Sequence, residues 1–455
     1  MNKKKNVSEM NRRSFIKRAG LAGVSAMAAP MILPGRVLGM NGQPGANERL
    51  VIGMIGVGVR GRQLIRPFGE SCRIAAVCDV FLPRAREVAQ RAGAKYVYQD
   101  YREVLDRDDI DAVVVATPLH WHALMCIHAA QAGKDIFGEK PLSRSVEEGR
   151  RIIEAVRKYD RVFQTGSQQR SGRNEHNALT HVRNGAVGKI RKVIAYNYYS
   201  PMVPDFAGEK IPEGLDWERW LGPAEPHPFN RRIWSNSTNP SWVSLRPFSG
   251  GNMTDFGSHG LDMMQWGLGM DESGPEEVWV EGDSFETVYS TPENPGGRQQ
   301  GPRSPTVFMR YPGDIVVEQT SDAGGFRAQF VGEGGSIFVG RGGFGSQPSG
   351  IVGRPMENPD VTLYRGYEYA LNTSHEQDWV NAVKERRDPV APVEAGHRSA
   401  TVCHLGNIAR WVSEITGETG KVLKWDAKNE RFTNSPEANR FLGSTYRPGY
   451  ELPEV

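Results

Sequence analysis

The fold is decided by the stretch VIGMIGVGVRG at residues 51–61, which begins as an apolar run and ends in three spaced glycines. The run Val51–Ile55 predicts a buried strand. Gly56 suits a tight turn, and Gly58 allows a close approach of the backbone to a pyrophosphate. Gly61 allows the following helix to pack on the strand. The N-terminus of that helix would present free N–H groups to phosphate. The stretch therefore predicts a dinucleotide-binding strand–turn–helix.

The residues that follow repeat the pattern of a parallel sheet with crossover helices up to about residue 164. Predicted strands are Leu50–Ile55, Arg73–Cys78, Ala112–Ala116, Asp135–Phe137 and Val162–Gln164, and predicted helices include Pro83–Ala92, Ala123–Ala132 and Val146–Lys158. Asp79 ends the second strand, at the distance expected for an acid that binds ribose. Because this acid would repel a 2′-phosphate, NAD(H) is expected rather than NADP(H). Arg84 is expected to be a solvated helix residue.

Beyond residue 166 the chain becomes rich in glycine, proline and tryptophan. Its strand-like stretches, which predict a mostly antiparallel sheet, are Val193–Tyr199, Glu277–Glu281, Thr306–Arg310, Ile315–Thr320 and Ser336–Val339. Pro201–Trp242 is expected to be a long surface loop, and Gly340–Asn358 another irregular loop. The tryptophans at 217, 220, 234 and 242 are candidates for stacking on sugar faces or for core packing.

The predicted fold class is therefore α/β, with three parts in order along the chain. Residues 1–45 form a leader and linker, residues 48–166 a Rossmann domain that binds NAD, and residues 167–455 an α+β domain with a large open sheet. The third part is expected to hold the substrate and to form oligomer contacts.

The leader has the features of a twin-arginine export signal. Arg12 and Arg13 precede Phe15 and the weakly apolar run Ala19–Leu33, which is too short to span a bilayer as a stable helix. A small-x-small sequence ends at Ala28 and predicts cleavage there. We expect the twin-arginine translocase to carry the folded protein to the periplasm. A basic disordered tail or a nucleic-acid patch is the alternative.

The net charge of +3 comes from the residues up to the predicted cleavage at Ala28. They hold seven basic residues and one acidic residue, so that the remaining chain is near −3. Nothing in that balance indicates a nucleic-acid partner. The four cysteines show no framework spacing. Cys72 and Cys78 are expected to be buried thiols beside a strand, with a disulfide between them as the alternative.

Two further motifs carry chemistry. Lys140 follows a predicted strand at the sheet edge that binds ligands, where a lysine can stabilise negative charge on a substrate oxygen; a surface lysine in a turn is the alternative. In the segment Gly250–Asp262, a helix would place Asp255 and His259 on one face. A carboxylate beside an imidazole orients the ring and raises its basicity, which suits a general base. A structural Asp–His pair is the alternative.

Together these residues resemble the Gfo/Idh/MocA oxidoreductases, and look closest to an exported branch. The resemblance is carried by the glycine fingerprint, Thr117-Pro118 with His122, Glu139-Lys140-Pro141, the Gly-Gly…Asp-x-x-x-His segment and the stretch at 392–399. It implies a Rossmann domain, a C-terminal α/β domain whose open sheet serves oligomerisation, and an NAD(P)-linked site that acts on a sugar or cyclitol.

Carried across residue by residue, the resemblance implies Lys140 and His259 as the catalytic pair, with Asp255 as their polar partner. Thr117, Pro118 and His122 would line the nicotinamide side, and Glu139 would hold the ribose. With the residues of the fingerprint and of the second strand, the predicted cofactor set is Gly56, Gly58, Arg60, Gly61, Asp79, Thr117, Pro118, His122 and Glu139.

Two departures from the branch concern the substrate pocket. Leu119 stands where an acid or polar residue is common, and Gly260 where a second histidine is frequent. No metal is expected, because no carboxylate or cysteine joins His120, His122 and His128 at ligand spacing.

The sequence predicts an exported oxidoreductase that oxidises or reduces a ring hydroxyl of a sugar or glycoside and forms a homo-oligomer. Because free dinucleotide should be scarce outside the cytoplasm, the NAD is expected to be tightly bound and recycled in place. One alternative is a redox-neutral glycosidase or lyase that uses the same residues. Another is a sugar-binding protein that keeps the dinucleotide as a structural element.

Overall fold

Two β-sheets, one of six strands and one of nine, organise the chain. The computed structural model describes residues 49–204, 206–235, 241–282, 305–320, 327–341, 343–357, 359–363 and 373–455. The predicted leader and its cleavage point lie outside these residues. Leu50–Val455 form one compact unit. Within the described ranges no helix combines the length and the apolar character needed to cross a membrane.

The first sheet confirms the predicted parallel Rossmann arrangement. Its strands are β1 (Val51–Ile55), β2 (Arg73–Cys78), β3 (Tyr96–Tyr98), β4 (Ala112–Val115), β5 (Asp135–Gly138) and β6 (Phe163–Thr165). All of them are parallel, in the spatial order β3-β2-β1-β4-β5-β6. The strand order reverses between β1 and β4, the point at which such sheets bind ligands. Cys72, just before β2, and Cys78, at its end, are buried and are not joined in a disulfide, as predicted.

Helices cover both faces of this sheet, which is why its central strands are almost wholly buried. They are α1 (Val59–Ser71), α2 (Leu82–Ala92), α3 (Arg102–Leu105), α4 (His122–Gln131) and α5 (Val146–Lys158). The three helices predicted here are found to within one residue. Ser145 begins α5, because its hydroxyl accepts a hydrogen bond from the Glu148 amide.

The second sheet is antiparallel except between β7 and β10, which confirms the predicted mostly antiparallel sheet. Its strands are β7 (Ile190–Tyr196), β8 (Glu277–Glu281), β9 (Thr306–Tyr311), β10 (Ile315–Thr320), β11 (Arg327–Gly332), β12 (Gly335–Gly340), β13 (Gly343–Gln347), β14 (Leu423–Asp426) and β15 (Arg431–Phe432). The expectation of an irregular loop at Gly340–Asn358 is partly wrong, because β13 pairs there with β12.

Eight helices are described after β6. They are α6 (Arg173–Arg183), α7 (Trp217–Leu221), α8 (Arg231–Trp234), α9 (Gly251–Asp255), α10 (Gly257–Leu268), α11 (His375–Glu385), α12 (Val393–Thr416) and α13 (Pro436–Asn439). The long α12 is buried over most of its length, because it packs against α10 on one side and against α5 of the first domain on the other.

The core of the first domain includes residues that the predicted boundary at 166/167 assigns to the second. Helix α11 packs on α1, and the Trp379 ring meets the rings of Phe68 and Phe137 edge-on, with centroids 5.5 and 5.9 Å away. Leu452 and Val455, near the end of the chain, also pack on this core. Two later segments of the chain, α11 and the last residues, therefore contribute to the core of the first domain.

The expectation that Pro201–Trp242 is a surface loop is wrong. Its aromatic residues build a small core of their own, in which the rings of Trp217 and Trp220 stack with centroids 4.5 Å apart. Leu215 forms a β-bridge with Phe81, just past β2. Large aromatic side chains bury too much apolar area to remain in solvent. The segment therefore packs against the carboxyl edge of the first sheet.

Candidate active site

A cavity of about 630 Å³ lies at the carboxyl edge of the first sheet, where the strand order reverses. The predicted site residues that line it are Gly56, Gly58, Arg60, Asp79, Thr117, Pro118, Glu139, Lys140 and Asp255. The other three predicted residues, Gly61, His122 and His259, do not line this cavity.

The glycine loop has the geometry that a pyrophosphate requires. Gly56 has a φ of +81°, a conformation that favours glycine, and its amide donates to the Cys78 carbonyl. A Cβ on Gly61 would lie 2.1 Å from the Gly56 carbonyl oxygen, so only glycine lets α1 start here. A Cβ on Gly58 would meet nothing within 4 Å, since this residue faces the open cavity at the helix N-terminus.

Asp79, only 4% exposed, lies at the end of β2. Its carboxylate accepts hydrogen bonds from the amides of Val57 and Phe81, both at 2.9 Å. Arg84 binds the same carboxylate in a bidentate manner, at 2.7 and 3.0 Å. The prediction of a solvated Arg84 is therefore wrong: its guanidinium lines the cavity and lies 5.6 Å from the centroid of the Trp234 ring.

His122 lies behind the cavity, which corrects the expectation that it lines the nicotinamide side. Its Nδ1 is 2.9 Å from the Pro141 carbonyl oxygen, and its Nε2 is 3.0 Å from that of Thr117. Burial lowers the pKa of the ring, so His122 is neutral and donates to one carbonyl at a time. The ring therefore lies between two backbone segments, the one at Thr117 after β4 and the one at Pro141 after Lys140.

Glu139 lies inside the cavity next to Arg60, and their side chains form an ion pair at 2.7 Å. Gln168 also donates to this carboxylate, at 3.3 Å. Nearby, the hydroxyl of Thr117 and Nη2 of Arg60 are buried without a hydrogen-bond partner in the protein. Buried polar groups normally have partners. Two such groups beside the glycine loop fit a bound dinucleotide, which offers oxygens to both.

Lys140 and Asp255 meet at the other end of the cavity. Lys140 follows β5, and its Nζ donates to Oδ1 of Asp255 at 2.5 Å and to the Asp255 carbonyl at 3.1 Å. Their side chains are 17% and 22% exposed, so a ligand in the cavity can reach both. The predicted single helix is interrupted at Phe256, where α9 gives way to α10. Asp255, the last residue of α9, contacts Lys140 of the first domain.

His259, in the first turn of α10, is 4% exposed. Its Nε2 is 3.0 Å from Nη2 of Arg341, on the turn after β12. Burial, followed by the charges of Lys140, Arg341 and Arg60, lowers the pKa of His259 well below its ordinary value. The expectation of a ring made more basic by Asp255 is therefore wrong: the Asp255 carboxylate binds Lys140, and three cations act on the imidazole.

Residues distant in sequence complete the cavity wall. The segment Pro201–Trp242 contributes Arg219, Trp220, Trp234 and Trp242. The final stretch of the chain contributes Tyr450. Tyr450 packs edge-on against Trp121, with ring centroids 5.7 Å apart. The tryptophan content of the segment was a visible signal, whereas nothing near Tyr450 in the sequence indicates a ligand.

The three histidines between 120 and 128 serve packing. Burial lowers the pKa of His120 to about 3, so its neutral ring donates from Nε2 to the Trp220 carbonyl. His128 is 2.6 Å from the Tyr101 hydroxyl. Among the described residues, no group of three or more His, Cys, Asp or Glu could hold a metal ion. Leu119 and Gly260, the two departures, are both buried.

A Rossmann domain whose glycine loop opens on one cavity with a lysine–aspartate pair defines a class, the dinucleotide-dependent oxidoreductases. Family models agree, since residues 50–167 match "Oxidoreductase family, NAD-binding Rossmann fold" and residues 188–289 match "Oxidoreductase family, C-terminal alpha/beta domain". The chain belongs to the Gfo/Idh/MocA oxidoreductase family.

Similar proteins include a glycosidase. An α-N-acetylgalactosaminidase of Shewanella oneidensis is 32% identical over 203 residues, which cover 40% of this chain and 44% of that protein. The chain thus spans less than half the length of this curated relative. Among solved structures, levoglucosan dehydrogenase with NADH and levoglucosan superposes with a TM-score of 0.55 at 21% identity. Aldose-aldose oxidoreductase of Caulobacter crescentus gives 0.54 at 18% identity. Each superposition covers 83% of this chain and 99% of the solved chain. These two proteins therefore share the fold of this chain.

Proposed function

We propose that the protein is an NAD-dependent oxidoreductase that oxidises or reduces a ring hydroxyl of a sugar or glycoside and keeps its cofactor bound between turnovers. One observation carries the proposal: Lys140 and Asp255 are paired in the same cavity as the glycine loop. His259 lies four residues after Asp255, and the Lys140 charge acts on its ring. Groups that could hold a dinucleotide therefore line the same cavity as a lysine–aspartate pair, and His259 is close enough to that pair for the Lys140 charge to act on it.

Lys140 and His259 divide the acid–base chemistry. With its pKa lowered, His259 is neutral at pH 7 and can accept the proton of a substrate hydroxyl. The Lys140 ammonium can donate to the same oxygen and stabilise the negative charge that develops there. Asp255 holds Lys140 in place. A bound NAD⁺ would supply the hydride acceptor.

The cavity walls support tight retention of the dinucleotide. Gly56, Gly58, Thr117 and Glu139 would hold the pyrophosphate and the nicotinamide half, and Asp79 with Arg84 the adenosine ribose. Trp220, Trp234 and Tyr450 add aromatic walls to the cavity from other parts of the chain. An acid at the ribose end favours NAD(H) over NADP(H).

A second candidate is redox-neutral cleavage of a glycosidic bond, and the similarity to a glycosidase favours it. A ketone at C3 acidifies the C2–H bond. Loss of that proton would expel the group at C1, which would leave as an alcohol after taking up a proton. Water would then add across the double bond, and the hydride removed from C3 in the first step would return to the ketone and restore the alcohol. His259 and Lys140 could serve the proton transfers at oxygen, and the proton on C2 would need a second base, for which the carboxylates of Glu139 and Asp255 line the same cavity.

Turnover of p-nitrophenyl glycosides, with and without added NAD, tests the proposal and separates the candidates. Release of phenol without net NADH supports redox-neutral cleavage, whereas a keto sugar together with NADH supports the dehydrogenase. Sugar binding without either product would indicate a binding protein and contradict the enzyme. Each assay needs the His259→Ala protein as its blank.

We also propose that the protein is exported to the periplasm by the twin-arginine route. The support is the order of Arg12, Arg13, Phe15 and the short apolar run in the sequence. Replacing both arginines by lysine should hold the uncleaved protein in the cytoplasm. Equal periplasmic amounts of the two proteins after cell fractionation would contradict this route.

The open sheet supports a proposal of self-association. Trp279 and Phe308 stack on neighbouring strands β8 and β9, with centroids 5.4 Å apart, and both are partly exposed. Exposed aromatic pairs of this kind favour interfaces. Light scattering after gel filtration should give a multiple of the chain mass, and Trp279→Asp should lower it. A monomer at high concentration would contradict the proposal.

A further inference from the structure

Three aromatic side chains that line the cavity contact one another in a row. The Tyr101 ring meets the Trp121 ring edge-on, with centroids 5.6 Å apart, and Trp121 meets Tyr450 in the same way at 5.7 Å. Tyr101 follows β3, the edge strand next to β2 and its Asp79. Lys140 follows β5, on the other side of the point where the strand order reverses. The aromatic row therefore belongs to the half of the cavity that contains Asp79.

The adenine of a dinucleotide would reach this aromatic row. In the proposed function the pyrophosphate lies at the glycine loop and the adenosine ribose at Asp79, so that the base extends beyond Asp79 and away from the pyrophosphate. Tyr101, Trp121 and Met125 line the cavity there and are only 3–5% exposed. Every nucleic-acid base has a π face that stacks on aromatic side chains. The row thus has the chemistry of an adenine pocket.

Tyr450 reaches this pocket on a tight turn, Arg447-Pro448-Gly449-Tyr450. The Tyr450 amide donates to the Arg447 carbonyl at 3.0 Å, and Gly449 has a φ of +85°. A proline at the second position of a turn and a glycine with positive φ at the third are the signature of a type II turn. The turn therefore gives the backbone at Tyr450 a defined conformation beside Trp121.

Contacts on both sides of the turn hold residues 446–455 against the first domain. Before it, the Tyr446 hydroxyl donates to a buried carboxylate on α5 at 2.9 Å. Nε of Arg447 donates to a backbone carbonyl just after α7 at 2.7 Å. After the turn, Leu452 and Val455 pack on the core of the first domain. The turn is thus fixed at its place in the cavity wall.

We propose that Tyr450 stacks on the adenine of the bound dinucleotide, so that residues 446–455 close the adenine end of the cavity. The inference rests on the proposed function and names a residue that retains its cofactor. Stacking on Tyr450 adds a contact that the dinucleotide must lose before it dissociates. Because the ring is partly exposed, the base covers a surface that otherwise faces solvent.

The affinity for ADP-ribose tests this role without turnover, because this ligand keeps the adenine half of the cofactor and lacks the nicotinamide. Calorimetry on cofactor-stripped protein should give a Kd about 5- to 100-fold higher for Tyr450→Ala, the range for a base stacked on an aromatic ring. Tyr450→Phe keeps the ring and should bind like the wild type. Tyr159→Ala is the matched control, because Tyr159 is partly buried on the same core and does not line the cavity. Equal Kd values for Tyr450→Ala and the wild type would overturn the proposal.

A photoprobe locates the base in the unaltered protein. An NAD derivative with an azido group on C2 of adenine attaches on irradiation to the side chains that contact the base. Peptide mass spectrometry should find the label within residues 446–455, and excess NAD should abolish it. A label confined to other segments, with ADP-ribose bound, would overturn the role of Tyr450 alone. A wild-type protein that neither binds ADP-ribose nor takes up label would contradict the proposed function itself.

Discussion

The two ends of the cavity hold their charges in opposite ways. At the ribose end, Asp79 is buried, and two amides and a bidentate Arg84 satisfy its carboxylate. Next to the proposed catalytic pair, Lys140 and Asp255, the buried His259 imidazole lies outside the cavity lining, and the charges of three cations act on it. The first arrangement stabilises a fixed charge, whereas the second keeps a base neutral and ready to accept a proton.

This difference separates binding from chemistry. Variants at the ribose end should change which dinucleotide binds and leave proton transfer intact. Variants at the catalytic end should stop turnover and leave the dinucleotide in place. A variant that affects both ends equally would show that the two regions act as one.

The largest effect is expected from His259→Ala, because it removes the side chain that we propose as the general base. Loss of a general base costs about 10²- to 10⁴-fold. We expect kcat/KM for the glycoside to fall by that factor while the amount of bound dinucleotide stays the same. His227→Ala, at a half-buried histidine that does not line the cavity, is the control. A His259→Ala protein with wild-type kcat/KM would remove the base from the mechanism.

Lys140→Met should have the next largest effect. It removes the donor to the developing oxyanion, a change that costs about 10²- to 10³-fold in kcat. The loss should appear in kcat more than in KM, because the charge develops only during reaction. Lys158→Met, on an exposed helix position, is the control. A rise in KM with unchanged kcat would assign Lys140 to ground-state binding instead.

Asp79→Ala should change cofactor choice, and it also removes the acceptor of the Val57 and Phe81 amides. Without its carboxylate, Arg84 loses its partner and can turn to a 2′-phosphate, so the Kd ratio of NADP to NAD should fall by about tenfold. Tryptophan fluorescence quenching of cofactor-stripped protein measures both constants. Arg86→Ala is the control, because Arg86 lies on α2 like Arg84 but is exposed. Unchanged selectivity would mean that Asp79 serves only the loop structure.

Trp234→Ala should give the smallest effect, since it removes one wall of the cavity and none of its charges. Release of bound dinucleotide into buffer should become several-fold faster, in line with the loss of about one aromatic contact. Chemistry in the loaded protein should be unaffected. Retention equal to the wild type would locate the barrier to release elsewhere, with Tyr450 as the next wall residue to test.

The sequence predicts the parts of this site that depend on local pattern. The glycine loop, Asp79 and Lys140 each follow a strand of the parallel sheet, and topology alone brings such positions to one edge. Asp255 and His259 were found as a motif, yet their pairing was mispredicted. A break at Phe256 and the arrival of distant cations decide which group each side chain meets.

Contacts between distant segments explain the other features that the sequence did not predict. Arg341 reaches His259 from a turn more than eighty positions away, and Tyr450 reaches the cavity from the other end of the chain. Neither residue belongs to a motif. Helix α11 packs on the first domain through another contact between distant segments, because Trp379 meets the ring of Phe68 there.

The central claim is that the chain keeps a dinucleotide in this cavity and reuses it. The most direct measurement is to purify the folded protein without added cofactor, dialyse it extensively, denature it, and quantify the released small molecules by mass spectrometry. We predict close to one NAD or NADH per chain. Release of no dinucleotide, together with no tight rebinding of added NAD, would contradict the claim.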